Sequence, residues 1–533
     1  MSNLRSARLV GIGAIAGIAL SLGLSALAER GNTGRNVLPL DELRQFSEVF
    51  GTIKAYYVEP VKDNKLITDA ISGMLTGLDP HSAYLDENAF KELQVNTQGE
   101  FGGLGIEIGT EDGFIKVVSP IEGTPASKAG VKAGDLIIKI GDTPTKDMRL
   151  EEAVKMMRGK PKSPITLTLQ RKGVPEPIVL TIVRDIIQVQ SVRSKLLEPG
   201  VGYIRISQFQ EHTVNNLVNH LEQLAKQNNG ALKSVVLDLR NDPGGLLHGA
   251  IGVSAAFLQP GMEVTSTDGR TDDAKRSFYA SPQDYMTGSG KTDRISSLPA
   301  WTKTAKMVVL VNAGSASASE IVAGALQDHK RAVVLGTQTF GKGSVQTILP
   351  LAGQKTAIKL TTARYYTPNG RSIQARGIVP DYVVEESADG DINGFRIREA
   401  DLQRHLSNDR DTTPEVKSSA PSSADQERLK NYKPIELGVP ANDFQLQQAL
   451  NYLNGKTIQK APPVQGVVDG KSTDGKGNDG KAPGATKAQD AGTKAKGDGK
   501  SVDAKDAAGK DAKGQAADPK ASAPQTDKAP ARK

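Results

Sequence analysis

Three short loops in this chain of 533 residues carry the residue types from which a hydrolytic site can be built. The first reads Asp238-Leu239-Arg240-Asn241-Asp242-Pro243-Gly244-Gly245. The second is Asn312-Ala313-Gly314-Ser315-Ala316-Ser317-Ala318-Ser319-Glu320, and the third Thr339-Phe340-Gly341-Lys342-Gly343-Ser344-Val345-Gln346. Each follows an apolar run of buried-strand type, Val235–Leu239, Met307–Val311 and Ala332–Leu335. In open α/β sheets, active sites gather in loops at the carboxyl ends of strands. A serine at a strand-to-helix turn sits above the sheet, beside helix N–H groups that can hold a developing oxyanion. No G-x-S-x-G elbow is present and no histidine lies in these loops, so another base is needed. Lysine serves when burial or nearby positive charge depresses its pKa. Lys342 stands between two glycines, where the backbone can bring it close. Spacing alone does not choose among Ser315, Ser317, Ser319 and Ser344.

The run Gly336-Thr-Gln-Thr-Phe-Gly341-Lys342 nearly spells a phosphate-binding loop, but Gly343 stands where Ser or Thr is required. The following Ser344-Val-Gln-Thr-Ile-Leu-Pro350 is β-branched and reads as strand. A phosphate loop needs a helix there, to present its N-terminal dipole. The nucleotide reading therefore fails in both residue and context.

The elements that must position these loops are legible in the apolar patterning. Leu40 to Gln98 is helical in pattern, with Leu43, Phe46, Phe50 and Ile53 on one face. Ile67, Ala70, Ile71, Met74, Leu75 and Leu78 follow the helical repeat up to Asp79-Pro80. Thr97 to Arg184 predicts a mostly β unit with strands at Leu104–Ile108, Ile115–Val118, Leu136–Ile140, Ile165–Leu169 and Ile178–Val183. Two helical pieces interrupt it, Pro125–Ala129 and Leu150–Met157. From Ile186 to Glu385 strands (Val201–Ile206 and the three above) alternate with helices (Val214–Ala225, Glu320–Gln327), an α/β layer. Lys359–Tyr365 and Tyr382–Val384 read as further strands, Phe395–Leu406 as a helical patch, and Phe444–Leu453 as a last amphipathic helix.

Together the three loops resemble the signature segments of the carboxyl-terminal processing peptidases, or tail-specific proteases. Gly77-Leu-Asp-Pro-His-Ser-Ala-Tyr84 resembles a further segment of that family, and the likeness runs from about Leu40 to Glu385. It implies a serine endopeptidase with Ser317 as nucleophile, Lys342 as base and Gln346 orienting the lysine amine. The implied oxyanion donors are the N–H of Ala318 and one from the Pro243-Gly244-Gly245 turn, Gly245 ahead of Gly244. Asp242 stands where Asn is also usual in that family.

The β unit resembles a PDZ domain. Gly102, Gly103, Leu104, Gly105 and Ile106 match its carboxylate-binding loop, and successive N–H groups there would form an anion nest for a substrate's terminal carboxylate. A peptide would add as a strand beside Leu104–Ile108, its side chains against Leu150, Val154 and Met157. The fold class implied is a multidomain α+β and α/β chain. Its parts are an N-terminal segment (1–28), a helical region (36–96), a PDZ domain (97–184), a peptidase core (186–385), an extension (386–455) and a tail (456–533). The resemblance implies protein substrates with apolar C-terminal tails, an adaptor or activating lipoprotein, and homo-oligomers through the N-terminal helices. It implies no metal and no cofactor. A non-catalytic PDZ scaffold on a dead peptidase fold is the alternative reading, and it would need none of Ser317, Lys342 and Gln346.

Arg5 and Arg8 precede an apolar run ending in Ala26-Leu27-Ala28, the pattern of a secretory signal, and residues 9–28 are also long enough for an uncleaved anchor. Both readings place the remainder outside the cytoplasm, in the periplasm. The formal charge of +7 resides mainly in residues 456–533, with fifteen Lys and one Arg against ten Asp. That composition builds no core and reads as solvated, disordered tail rather than a nucleic-acid surface. There is no cysteine, which excludes disulfides, thiol nucleophiles and Cys-based zinc sites. No pair among the six histidines is spaced as HExxH. Ser315 and Ser319 read as turn and cap residues, Glu320 as a helix N-terminal acid, and Asp238 with Arg240 as an ion pair at a strand end. His329 reads as a surface residue.

Overall fold

The computed structural model describes residues 38–286, 292–351, 353, 355–387, 397–415 and 435–460. The apolar run of residues 9–28 and the tail from 461 onward lie outside the described residues. The chain opens with helices α1 (Leu40–Tyr56) and α2 (Asp63–Thr76), then strand β1 (Ala83–Leu85) and helix α3 (Glu87–Gln98). α1 buries no residue, and Leu40, Leu43, Phe46 and Val49 all stand exposed. Asp86 caps α3 by accepting from the Ala89 N–H, and Gly99 ends it in the left-handed conformation.

Next come β2 (Glu100–Gly103), β3 (Ile106–Glu111), β4 (Phe114–Pro120), helix α4 (Pro125–Lys128), β5 (Leu136–Ile140), β6 (Thr143–Pro144), helix α5 (Leu150–Met157), β7 (Pro164–Gln170), β8 (Ile178–Val183) and β9 (Asp185–Gln188). β3-β4-β5-β7-β8 form one antiparallel sheet around a core of Ile115, Val117, Ile137, Leu167 and Leu169. β2 and β9, the strands entering and leaving this unit, pair with each other as a separate ribbon. The strand expected over Leu104–Ile108 begins later, at Ile106, after β2 has ended at Gly103. Gly105 between them has φ +76°, a turn that an L residue strains to make.

The second half holds β10 (Val192–Glu198), β11 (Val201–Ile206), α5's successor α6 (Thr213–Gln227), β12 (Ser234–Asp238), α7 (Leu247–Phe257), β13 (Glu263–Gly269), β14 (Arg276–Tyr279), β15 (Lys306–Val311), α8 (Ala318–Asp328), β16 (Val333–Gly336), β17 (Ser344–Pro350), β18 (Ala357–Tyr366), β19 (Tyr382–Val383) and α9 (Phe444–Leu453). β11-β12-β15-β16-β19 run parallel, with β10 antiparallel at the edge. Both faces of this sheet are covered. Val235, Leu237, Met307, Val309 and Val334 point into the core beneath α6, α7 and α8, while Val236, Val308, Leu310 and Leu335 pack against Leu446, Ala449 and Leu453 of α9. Burial on two sides is why these strands read as unbroken apolar runs. A second sheet has the order β1-β18-β13-β14, with β17 beside β18.

α7 carried no periodic signal because nine of its residues are buried, so it has no polar face. The patch expected as helix over Phe395–Leu406 is, in its described part, only a 3₁₀ turn at Glu399–Asp401. Among the described residues no helix is long and apolar enough to cross a membrane.

Candidate active site

The three loops converge at the carboxyl ends of β12, β15 and β16. Of the four serines that spacing left open, three are buried with their hydroxyls engaged. Ser315 Oγ donates to Leu239 O (2.8 Å), Ser319 Oγ to Asp242 O (2.9 Å), and Ser344 Oγ accepts from Gln346 Nε2 (3.0 Å). Ser317 alone of the four is not buried. It immediately precedes α8 with φ +57° and ψ −113°, outside the regions that L residues favour. Holding a residue there costs about 1–3 kcal/mol, which the surroundings must supply.

Glu320 is the main restraint. Its Oε2 accepts from the N–H of Ser317 (2.8 Å) and of Lys342 (3.0 Å), and its Oε1 from Gly341 N–H (2.7 Å) and Thr339 Oγ1 (2.5 Å). One carboxylate thus fastens the serine turn to the lysine loop. Complete burial pushes its pKa up to about 7, with those four donors pulling it back down. The loops are also tied directly, Phe340 N–H to Ser315 O at 3.0 Å.

Lys342 follows Gly341, whose φ is +98°, and precedes Gly343, where a Cβ would lie 2.4 Å from Gln374 N. Only glycine allows that crossing. Burial of the Lys342 side chain, with Lys359 as a neighbouring cation, lowers its pKa to about 8, while Glu399, Glu320 and Asp79 oppose the shift. Gln346 lies on β17. Its amide nitrogen donates to Ser344 Oγ and Thr361 Oγ1 (3.2 Å), leaving its carbonyl oxygen as the end able to accept from an ammonium. Thr361 continues to Asp79 Oδ1 (3.0 Å), and Ser82 Oγ donates to Asp79 Oδ2 (2.6 Å). The Gly77–Tyr84 segment therefore braces the strand that carries Thr361. On the other side, His81 Nε2 meets Glu399 at 2.8 Å, Glu399 accepts from Gln374 Nε2 (2.9 Å), and Gln374 Oε1 accepts from Gly343 N–H (3.0 Å).

The Pro243-Gly244-Gly245 turn lies against the serine. A Cβ on Gly244 would sit 2.7 Å from Ala318 N and 2.8 Å from Ser317 Cβ. Gly244 N–H is committed to Asp242 Oδ1 at 2.9 Å, so Gly244 contributes its bare backbone rather than a free donor. Among the described residues no acceptor is paired with the N–H of Ala318, the first helical residue, or of Gly245. Gly245 is held by a one-residue parallel bridge to Phe209, with Phe209 N–H to Gly244 O and Leu246 N–H to Phe209 O both at 2.9 Å. Burial pushes the Asp242 carboxyl up to about 8, its Oδ2 having no hydrogen-bond partner. At the start of the same loop, Arg240 is buried between Asp238 (2.6 Å) and Asp443 (2.6 Å), the N-cap of α9. His329 is part-buried, its ring on Glu263 O at 2.6 Å.

In the β unit, Gly102 and Gly103 belong to β2 and pair with β9, which confines the expected nest to the Leu104–Gly105 turn and the start of β3 at Ile106. β3 is an edge strand, its free side open to an added strand. Leu150 and Val154 of α5 are partly exposed, whereas Met157 is buried in the core.

Glu320, Tyr365, Phe209 and Asp443 were not singled out by spacing as parts of the site. Tyr365 in particular sits in Arg364-Tyr-Tyr366 with no motif around it.

A partly exposed serine at a strained strand-to-helix turn, a part-buried lysine, and N–H groups with no acceptor among the described residues are the kinds of group from which a serine protease site is built. Residues 200–384 match the model of peptidase family S41, residues 92–170 that of the PDZ domain, and residues 21–89 that of the activating protease CtpB N-terminal domain. The carboxy-terminal-processing protease of Bartonella bacilliformis is 43% identical over 84% of this chain and 96% of its own length. The carboxy-terminal processing protease CtpA of Bacillus subtilis is 36% identical over 64% of this chain and 68% of its own. Among solved structures, the photosystem II D1 C-terminal processing protease is 28% identical, covering 64% of this chain and 92% of its own, with a TM-score of 0.36. The chain belongs to the carboxy-terminal processing protease family.

Proposed function

We propose that this protein is an exported, periplasmic endopeptidase that captures the apolar C-terminal tails of proteins through its PDZ unit and cleaves them by a Ser317–Lys342 acyl-enzyme mechanism. Neutral Lys342 takes the Ser317 proton as Oγ attacks the scissile carbonyl. The oxyanion forms against the N–H groups of Ala318 and Gly245. The Lys342 ammonium then protonates the leaving amine, breaking the C–N bond and leaving an ester on Ser317. Lys342, neutral again, deprotonates the water that hydrolyses that ester. Gln346 accepts a hydrogen bond from the Lys342 amine and keeps it aimed. The observation that carries this reading is the shared Glu320 carboxylate, which holds the serine and lysine backbones to one point.

The tail enters as a strand on the open edge of β3, its carboxylate at Leu104–Gly105 and its last side chains against Leu150 and Val154. Residues 97–184 form that module and 186–385 the peptidase. The exposed apolar faces of α1 and α2 join copies of the chain, and an adaptor lipoprotein is a partner. The test compares an unfolded protein ending in small apolar residues with the same protein amidated at its C-terminus, using the parent and Ser317→Ala. Cleavage by the parent alone, slower for the amidated form, is expected. Equal cleavage of both substrates would remove the tail-recognition part of the reading.

A further inference from the structure

Every backbone group of Gly341-Lys342-Gly343 is fastened, and one of the fasteners has no part in the mechanism above. Gly341 N–H and Lys342 N–H donate to Glu320, at 2.7 and 3.0 Å. Gly341 O accepts from Ala375 N–H (2.8 Å), Lys342 O from the Tyr365 hydroxyl, and Gly343 O from Tyr365 N–H (3.0 Å). The sixth group, Gly343 N–H, donates to Gln374 Oε1 at 3.0 Å. Gln374 is fully buried, and a Cβ on Gly343 would collide with its main-chain nitrogen. Gln374 and Ala375 thus hold the backbone on either side of Lys342.

What holds Gln374 comes from beyond residues 200–384, the stretch that matches the peptidase model. Its amide nitrogen donates to Glu399 Oε1 (2.9 Å) and to Leu406 O (3.0 Å), and its main-chain carbonyl accepts from Asn408 Nδ2 (2.7 Å). Both amide hydrogens are spent on acceptors, so the reverse orientation would turn the amide oxygen toward a carboxylate and a carbonyl. Gln374 Oε1 is therefore fixed toward Gly343. Glu399 is itself fully buried, its N–H on Phe340 O (3.0 Å) and its Oε2 2.8 Å from His81 Nε2.

We infer that Gln374, oriented by Glu399, is a positioning residue for the base: it accepts the Gly343 N–H and so fixes where the Lys342 side chain leaves its loop. Glu320 secures that loop up to the Lys342 N–H, and Gln374 secures it immediately after. Residues 399–408 then belong to the working peptidase rather than to a separate extension. Gln374 touches no reacting atom, and no bond changes at it.

This inference rests on Ser317 and Lys342 being nucleophile and base, and the test separates the two. Full-length parent, Lys342→Ala, Gln374→Met, Glu399→Ala and Glu399→Gln are compared in steady-state cleavage, and the parent is labelled with a fluorophosphonate whose site is found by mass. Label away from Ser317, or parental turnover by Lys342→Ala, would overturn the dyad and the inference with it. With the dyad intact, Gln374→Met, which fills the space without the amide, is expected to lose kcat by about tenfold or more with KM within about twofold. Glu399→Ala is expected to fall in the same direction. Glu399→Gln keeps an acceptor for Gln374 and is expected to stay within about threefold of the parent. A kcat within about twofold of the parent for Gln374→Met would overturn the role of Gln374 while leaving the dyad in place. If Gln374→Met does not fold, the Glu399 variants decide. Glu399→Ala is then expected to be about fivefold or more slower than Glu399→Gln, and equal rates for the two would overturn the inference.

Discussion

The main-chain N–H groups of Ser317 and Lys342 donate to the same atom, Glu320 Oε2, at 2.8 and 3.0 Å. The proposed nucleophile and base lie 25 positions apart in sequence on loops after different strands, and this one oxygen ties their backbones together. Replacing Glu320 by Gln retains the shape but turns one acceptor into a donor facing two N–H groups. The expected result is a loss of about 1–3 kcal/mol of stability for the unmet donors, together with a fall in kcat. Thermal unfolding and steady-state rates check it, and parental values for both would contradict it.

Lys342 must be neutral to act, and burial puts its pKa at about 8. Activity is therefore expected to climb as pH rises through 8. The stability sign follows: between about 8 and the unfolded value near 10.5 the unfolded chain holds the proton more tightly, so the contribution of this group to stability grows with pH across that window. Lys342→Arg is expected to be inactive at every accessible pH, because a guanidinium does not give up its proton. A flat pH–rate profile would contradict the lysine's role.

Asp242 shapes the alkaline side. Its pKa is raised to about 8 by burial, against the pull of Gly244 N–H, Ser319 and Arg205 and with Asp238 adding to it. Ionisation above that point sets a negative charge beside the oxyanion turn. Its stability contribution is fully present below the unfolded value near 4 and is lost as pH rises through 8. Asp242→Asn is expected to leave activity at neutral pH intact and to extend it to higher pH. Superimposable profiles for the parent and the variant would rule this out.

The α9 helix reaches the site through Asp443. Replacing it with Ala leaves Arg240 buried with Asp238 and Gln445 as remaining partners. Losing one partner of a buried charge pair costs about 3–5 kcal/mol, and the loop that begins at Arg240 carries Gly245. Urea unfolding should show the loss, with catalytic rate falling alongside it. A variant as stable as the parent would mean that the pair is not what holds this loop.

In the PDZ unit, Val154→Asp places a charge at the proposed groove without touching the buried core. Tail-peptide affinity is expected to drop by about tenfold or more, measured by fluorescence anisotropy, with no change in Tm. Unchanged affinity would move the groove elsewhere.

Much of this was legible because its signals are local. Val201–Ile206, Leu136–Ile140, Leu150–Met157 and Phe444–Leu453 coincide with elements of the fold, since apolar periodicity and turn residues act over a few positions. α7 escaped because a helix buried on nearly all sides, with two glycines, has no polar face to detect. β13 pairs with β18, far along the chain, whereas β10 and β14 pair with near neighbours, β11 and β13. The loops of the site could be located, but not the contacts that hold them: Glu320 reads locally as a helix N-terminal acid, and its grip on Gly341 and Lys342 spans more than twenty residues. Tyr365 and Asp443 reach their partners only through tertiary packing. Spacing alone did not separate Ser317 from its neighbours; the family resemblance pointed to it, and the three other serines are buried.

The central claim is tested most directly by acid-quenching the protease during turnover of an ester substrate and mapping the covalent adduct by mass. The account expects the acyl group on the peptide containing Ser317, in the parent and not in Ser317→Ala. An acyl group on any other residue, or turnover by Ser317→Ala at the parental rate, would contradict it.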